Sequence, residues 1–380
     1  MGPISSCDLL ERARKLVPAL RERAARTDVE RKVPPESIAE LRAGGLLDVL
    51  LPRALGGSEV DFSVFSAITR LLATGCGSTA WVYAILTETA WIAALFPLKA
   101  QEEVWEDRAA MFCASVIPYG KARKVEGGYR ISGRWQYLSG SDYATWVVLN
   151  ANTESEGQVG MLVRHSELQM IDDWHVLGLA GTGSKAGVAE DVFVPAWRTL
   201  PWNSLLTGTP PGRAVHPDYL LARVPRNFVT AFSLNPVIVG LATRALELGT
   251  ELMRKQAAAP ALPDWPAVQS KFAEATVDIE LANLMMSTYA RQNDEVLRAG
   301  RAITDQDIAL TRMRGSRAMT LAKQGIEKIA FISGSKFIYD ANPLQLILRD
   351  ALTAASHRSS SFELAALNYC AGFAPSNQGH

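Results

Sequence analysis

Hydrophobic and polar positions change period twice along the 380 residues. Up to about residue 110 the pattern is helical. ESIAELRAGGLLDVL places Ile38, Leu41, Leu46 and Leu47 at helical spacing around a Gly44-Gly45 break. DFSVFSAITRLLATGCGSTAWVYAILTETAWIAALF is too apolar for a surface helix and predicts helices buried on most sides. From 111 to about 200 the runs become short, β-branched and aromatic, separated by Gly, Asn, Asp and Ser. MFCASVIP, GGYRISGRWQYLSG, ATWVVLNAN, QVGMLVR and AGVAEDVFVP predict at least five strands in a small barrel or sandwich. A Pro/Gly-rich connection follows at 201–225. Then come four long helical patterns, beginning at NPVIVGLATRALELG, PAVQSKFAEA, DIALTRMRGSRAM and LQLILRDALTAASH, which predict a four-helix bundle.

Charge adds mainly exclusions. Lys+Arg and Asp+Glu both number 39, so neither nucleic acid nor an acidic partner is indicated. Cys7, Cys76, Cys113 and Cys370 are scattered, without zinc spacing, so we expect free thiols, no metal site and a reducing compartment. Charges interrupt the N-terminus where a signal peptide needs an apolar core, and we expect a soluble, cytoplasmic protein.

One stretch invites a nucleotide-binding reading. GLAGTGSK (178–185) nearly spells a P-loop, but a P-loop must open a helix whose amides hold the phosphates. AGVAEDVFVP, which follows, is strand-like and stops at Pro195. Gly181, Gly183 and Gly187 are also spaced one residue too widely for a dinucleotide fingerprint. The stretch is either a plain turn or a close approach to a flat ligand, with Thr182 and Ser184 as donors. Any of the five histidines could act as acid or base near neutral pH, and His175 is placed to order the loop.

YRISGRWQYLSG (129–140), WHVLGLAGTGSKAGVAEDVFVP (174–195), PAVQSKFAEA (266–275) and PLQLILRDALTAASH (343–357) together resemble the acyl-CoA dehydrogenase fold. Within it the chain is closer to the oxygenase components of two-component (group D) flavin-dependent monooxygenases. The implied class is α+β: an N-terminal helical domain (1–110), a central β-barrel domain (111–205), a linker or possible lid (206–225) and a C-terminal four-helix bundle (226–380). Two departures separate it from the dehydrogenases. The first barrel strand reads CASVIPYGKA (113–122) in place of a threonine-glutamate pair, and Arg358 stands where many dehydrogenases carry a catalytic glutamate. Arginine does not deprotonate in a protein and cannot be that base.

The resemblance implies reduced FMN (FAD is possible) delivered by a separate reductase, O2 as co-substrate, and hydroxylation of an aromatic or polycyclic molecule through a C4a-hydroperoxyflavin. N-oxidation of an amine or amino sugar, an acyl-CoA dehydrogenase-type flavoenzyme, and a non-catalytic descendant of the fold are the alternatives. Ser139 and His357 are the implied catalytic residues. Trp135, Tyr137, Leu138, Ser139, Gly140, Gly181, Thr182, Gly183 and Ser184 would meet the flavin ring. Trp135 and Tyr137 are equally readable as barrel core. Arg254 and Ser335 stand where the superfamily binds the flavin's phosphate end, and a homotetramer is implied. Leu352 and Tyr143 replace histidines frequent among relatives, which implies a more apolar substrate pocket. Arg349-Asp350 is expected to be a structural pair, and Lys185 to have no part in mechanism.

Overall fold

The computed structural model describes residues 4–258, 265–358 and 361–373. The first helix, α1 (Ser6–Val29), starts where the Ser5 hydroxyl accepts from Asp8 N. The second, α2 (Pro35–Ala43), stops at the Gly44-Gly45 break, Gly45 turning at φ +68°. α3 (Phe62–Ala73) and α4 (Gly77–Ala93) form the middle of the N-terminal domain, and α5 (Leu98–Trp105) closes it. α4 is buried almost all round, as its composition predicts, although it carries one charge, Glu88.

Seven strands follow: β1 (Phe112–Val125), β2 (Gly128–Leu138), β3 (Trp146–Thr153), β4 (Gln158–Arg164), β5 (Gln169–Ile171), β6 (Lys185–Pro195) and β7 (Thr199–Pro201). They form one sheet in the order β5-β6-β2-β1-β3-β4-β7, antiparallel except for β1 beside β3. The order leaves β5 and β7 as edges, so its hydrogen bonding does not close into a complete barrel. Side chains from five strands, among them Ile131, Trp135, Val147, Met161 and Val194, nevertheless share one core, which requires the sheet to curl over it. Phe112, Trp146, Val148 and Leu162 face the other way and join the helical core, attaching the sheet to the helices.

Residues 202–225 carry α6 (Trp202–Thr207) and α7 (Gly212–Val215) and are fastened to the N-terminal domain. Trp91 Nε1 donates to Leu221 O at 3.2 Å, Gly212 N to Leu95 O at 2.8 Å, and the Tyr219 hydroxyl to Leu50 O. This segment is packed, with Tyr219, Leu221 and Ala222 buried.

After α8 (Arg226–Val229) come α9 (Asn235–Ala257), α10 (Trp265–Arg298), α11 (Asp305–Ile332), α12 (Pro343–Ala355) and α13 (Phe362–Ala371). The fourth predicted helix is thus two: α12 is capped at Ser356, and α13 starts anew where Ser361 accepts from Leu364 N. At the end of α12 the Ser356 hydroxyl donates to Thr353 O at 2.7 Å, a local bond that competes with the helical ladder. One stretch, 226–257, is long and apolar enough to cross a membrane by length and composition. Its apolar window is 83% buried inside the protein, as in a core helix.

Candidate active site

A bulge at the end of β2 decides which side chains face the helices. Trp135 pairs with Gly187 and Leu138 with Lys185, so three steps on β2 match two on β6. Tyr137 takes up the extra residue at φ +63°. Without the bulge, residues 135, 137 and 139 would share a face. With it, Trp135 and Leu138 both point into the sheet core, fully buried, while Tyr137 and Ser139 open into a cleft. Trp135 Nε1 donates to Asn150 O at 2.8 Å, and its ring lies on Gly120, where a Cβ would sit 2.0 Å from Trp135 Cζ2. Of the two readings open for Trp135, core packing is the one its position fits, and Leu138 lies with it.

The 178–184 loop crosses beside Ser139. Gly140 N donates to Thr182 O at 2.8 Å, and Ser141 Oγ to Gly183 O at 2.9 Å. Three buried hydroxyls form a chain: Ser139 Oγ to Ser184 Oγ at 2.7 Å, and Ser184 Oγ to Thr182 Oγ1 at 2.7 Å. Trp81 Nε1 on α4 donates to Ser139 Oγ at 3.2 Å. The loop's glycines have a reason of their own. A Cβ on Gly181 would sit 2.3 Å from Thr27 Cγ2, and one on Gly183 (φ +53°) 2.2 Å from Asp142 Oδ2. A Cβ on Gly140 would meet Leu86 of α4 at 3.1 Å. These glycines let the loop lie against protein; approach to a ligand is not needed to explain them. Lys185 pairs with Asp142 at 2.6 Å, away from the cleft.

The Arg349-Asp350 pair holds this loop from below. Asp350 Oδ1 accepts from Leu179 N at 2.6 Å, with Leu179 at φ +52°. Arg349 bridges Asp28 at 2.7 Å and donates to Leu177 O at 2.8 Å. Burial raises the Asp350 carboxyl to about 7, against the partial relief given by the Leu179 amide. On the other side of the loop, Arg31 binds Asp172 and Trp174 O, with His175 Nε2 3.4 Å away.

His357 enters the cleft just past the end of α12. Its ring meets Trp81 edge-on, centroids 5.6 Å apart. Trp81 therefore touches both candidate catalytic residues. The imidazole is reachable through the cleft yet hemmed in by protein elsewhere, and desolvation, followed by the charge of Arg226, pulls its pKa down to about 4. The cleft has a volume of about 330 Å³ and follows one face of α4, where Trp81, Ile85, Glu88 and Ile92 recur at helical spacing. Arg226 pairs with Glu88 at 3.2 Å, and Ser233 donates to the same carboxylate. A larger, shallower groove beside α5, about 810 Å³, contains none of the candidate residues.

The structure thus brings together Tyr137, Ser139, Thr182, Ser184 and His357. Arg254 and Ser335 are exposed on the bundle and do not line the cleft. Neither Leu352 nor Tyr143 lines it either; the Tyr143 hydroxyl is turned to Val33 O. Apolar side chains such as Ile85, Ile92, Val116 and Leu234 line much of the cleft, and Glu88, Arg226 and Arg358 are charged residues on its wall. Sequence reasoning missed Trp81, Glu88 and Arg226. Glu88 left a trace, as the single charge in an otherwise apolar helix. Among the described residues no cluster suits a metal ion.

A flat heteroaromatic ring with polar edges fits this donor set. Three buried hydroxyls lie on one side, Trp174 stands edge-on to Tyr137 at the mouth, and the Trp81 indole forms a wall. Comparison with known proteins names the ring. Residues 8–110 match the acyl-CoA dehydrogenase N-terminal domain and residues 232–362 its C-terminal domain. The chain is 33% identical, over 96% of its length and 97% of the other's, to the flavin-dependent monooxygenase oxygenase subunit HsaA of Rhodococcus jostii. The chain belongs to the flavin-dependent monooxygenases of the acyl-CoA dehydrogenase fold. This oxygenase is also 31% identical to the FADH(2)-dependent resorcinol hydroxylase oxygenase component of a Rhizobium species, covering 93% of this chain and 91% of that one. The crystal structure of 3-HSA hydroxylase from Rhodococcus sp. RHA1 superposes with a TM-score of 0.91 at 32% identity, covering 96% of both chains.

Proposed function

We propose that this oxygenase hydroxylates a phenolic ring in an aromatic or polycyclic small molecule, using reduced flavin received from a separate reductase. The observation that carries the reading is the cleft in which Trp81 links the Ser139 hydroxyl chain to His357. The names of its relatives supply the substrate class and the term oxygenase subunit or component. The resemblance alone points to FMN. Two relatives at 25% identity or more have FADH2 in their names, the resorcinol hydroxylase and XiaF from Streptomyces, so reduced FAD is the form we now expect, with FMN the alternative.

When bound, reduced flavin would supply the two electrons that activate O2, one atom of which is inserted into the substrate. Ser139, Ser184 and Thr182 would hold the polar edge of the ring, and the loop carrying Thr182 and Ser184 is kept in place by Asp350 and Gly140. Trp81, Leu179 and Ile92 keep water from the enclosed part of the cleft. His357, neutral at neutral pH, accepts the hydrogen bond of the substrate hydroxyl and directs the electron-rich ring carbon toward the flavin end. We also propose a homotetramer. Phe331, Ile338, Tyr339 and Leu284 are all more than 60% exposed, an apolar surface suited to neighbouring subunits, and light scattering at four times the 41.3 kDa chain mass tests it.

The functional reading is tested with His357→Gln. In single turnovers with reduced flavin, oxygen and a phenol, product formation is expected to fall at least tenfold while reduced-flavin affinity stays within twofold. Loss of flavin affinity with unaltered product yield per bound flavin would contradict the role given to His357.

A further inference from the structure

The far end of the cleft holds more positive charge than it neutralises. About 10 Å along α4 from Trp81, two turns away, Glu88 receives Arg226 Nη2 at 3.2 Å and the Ser233 hydroxyl on its other oxygen. The Glu88 side chain is 4% exposed and that of Arg226 12%. The Arg226 fork is only partly used: its Nε is buried without a hydrogen-bond acceptor. A buried guanidinium donor left unpaired is costly, and a ligand oxygen is the remedy such a site admits.

Two further guanidiniums surround it. Arg358 lines the cleft next to His357, and Arg312 on α11 is near enough that burial, then Arg358, then Arg226 all lower its proton affinity. Among the described residues neither Arg312 nor Arg358 takes part in an ion pair. Of these three cations only Arg226 is paired with a carboxylate among the described residues, and both oxygens of that carboxylate are engaged. Burial first, and then the charge of Arg226, depress His357. A base held that low is a poor resident for a proton, so the imidazole alone cannot keep a phenol ionised.

We propose that Arg226, fixed by Glu88 and assisted by Arg358, is the anion partner of the substrate, so that the cleft binds its phenol as the phenolate. This rests on the phenol reading above and assigns the charge compensation to the arginines, leaving His357 to accept the hydroxyl proton as the phenol enters and release it to solvent. Glu88 holds the Arg226 guanidinium at the cleft wall and is a positioning residue. Phenolate oxygen pushes more electron density into the ring than the neutral hydroxyl, which favours attack by the ring carbon on an electrophilic oxygen. The proton released on binding leaves to solvent through the open side of the cleft, so no other co-reactant is required.

The test reads ionisation directly and needs neither flavin nor turnover. 4-Nitrophenol, and a nitronaphthol as a two-ring probe, absorb differently as phenol and phenolate. Each is titrated against pH when free and when bound to the full chain. With the wild type, the bound probe is expected to ionise at least one pH unit below the free one, a tenfold gain in phenolate at fixed pH. The Arg226→Gln/Glu88→Gln double variant, which strands no buried charge, should return the bound probe to its free value. Arg226→Lys should keep part of the shift, and Arg358→Gln should lose part of it. His357→Gln should leave most of it in place. A wild-type probe that ionises at or above its free value overturns the proposal, as does a shift that survives in the double variant or vanishes only in His357→Gln. Those results leave the phenol reading standing; failure of both probes to bind at any pH overturns both.

Discussion

Ser139 is a small residue with three neighbours that matter: the Trp81 indole, the Ser184 hydroxyl and the open cleft. Alanine there removes two buried hydrogen bonds at a cost of about 1–2 kcal/mol, too little to unfold the domain. Its larger expected effect is functional. Ser139→Ala should raise the peroxide released per flavin oxidised several-fold at the expense of hydroxylated product, measured by parallel peroxide and product assays; unchanged coupling would remove Ser139 from the flavin site. Trp81 was not recognisable in advance, because a tryptophan in GSTAWVYAILTETAWIA reads as core, which by burial it also is. His357 has a second consequence at this scale. Its pKa is pulled from 6.5 to about 4, so between those values the unfolded chain binds the proton that the folded one refuses. This group therefore lowers stability as pH falls from 6.5 towards 4, and has no influence above 6.5.

The 178–184 loop shows how an element is set by parts distant in sequence. Its amide at Leu179 is fixed by Asp350, its carbonyl at Leu177 by Arg349, and its carbonyls at Thr182 and Gly183 by Gly140 and Ser141. Asp350→Ala leaves the Leu179 amide unpaired in a buried place, with a small void beside it, at about 2–4 kcal/mol. The variant should melt at lower temperature and bind reduced flavin more weakly, read by calorimetry and anaerobic titration; a lowered melting point with full flavin affinity would detach the clamp from the site. Asp350→Asn keeps an acceptor and should be milder. Because the folded carboxyl titrates near 7 and the unfolded one near 3.8, Asp350 makes stability decline as pH rises from 3.8 to 7, and the Asn variant should lose that slope. The stretch 178–185 could be recognised as a non-phosphate loop from the strand that follows it. The packing reason for its glycines was not legible, since Thr27 and Asp142 lie far from it in sequence. The β2 bulge was hidden too: strict alternation in GRWQYLSG groups Trp135 with Ser139, and only the register against β6 separates them.

At the scale of the molecule, the cleft lies where three units meet. α4 supplies a wall from the N-terminal domain, β2 and the 178–184 loop an edge from the sheet, and α8 and the end of α12 the charged end from the bundle. This explains what the chain disclosed before folding. The order of helices, strands and helices is a matter of local periodicity and was legible, down to the buried character of α4. The split between α12 and α13 was not, because apolar spacing continues across the serines. The family motifs marked Ser139 and His357 separately; the Trp81 ring that joins them, and the Glu88–Arg226 pair beyond, arise only when the units assemble. Arg254 and Ser335, exposed on the bundle, acquire a role only if neighbouring subunits bring a site to them. The account's central claim is that this assembled cleft protects activated oxygen and transfers it to a phenol. Its most direct test is the coupling ratio when the protein, preloaded anaerobically with reduced flavin, meets oxygen and a phenolic substrate. The account predicts hydroxylated product close to one per flavin oxidised, with little peroxide. Peroxide in stoichiometric yield, at the rate of free reduced flavin and indifferent to every phenol tried, would contradict it.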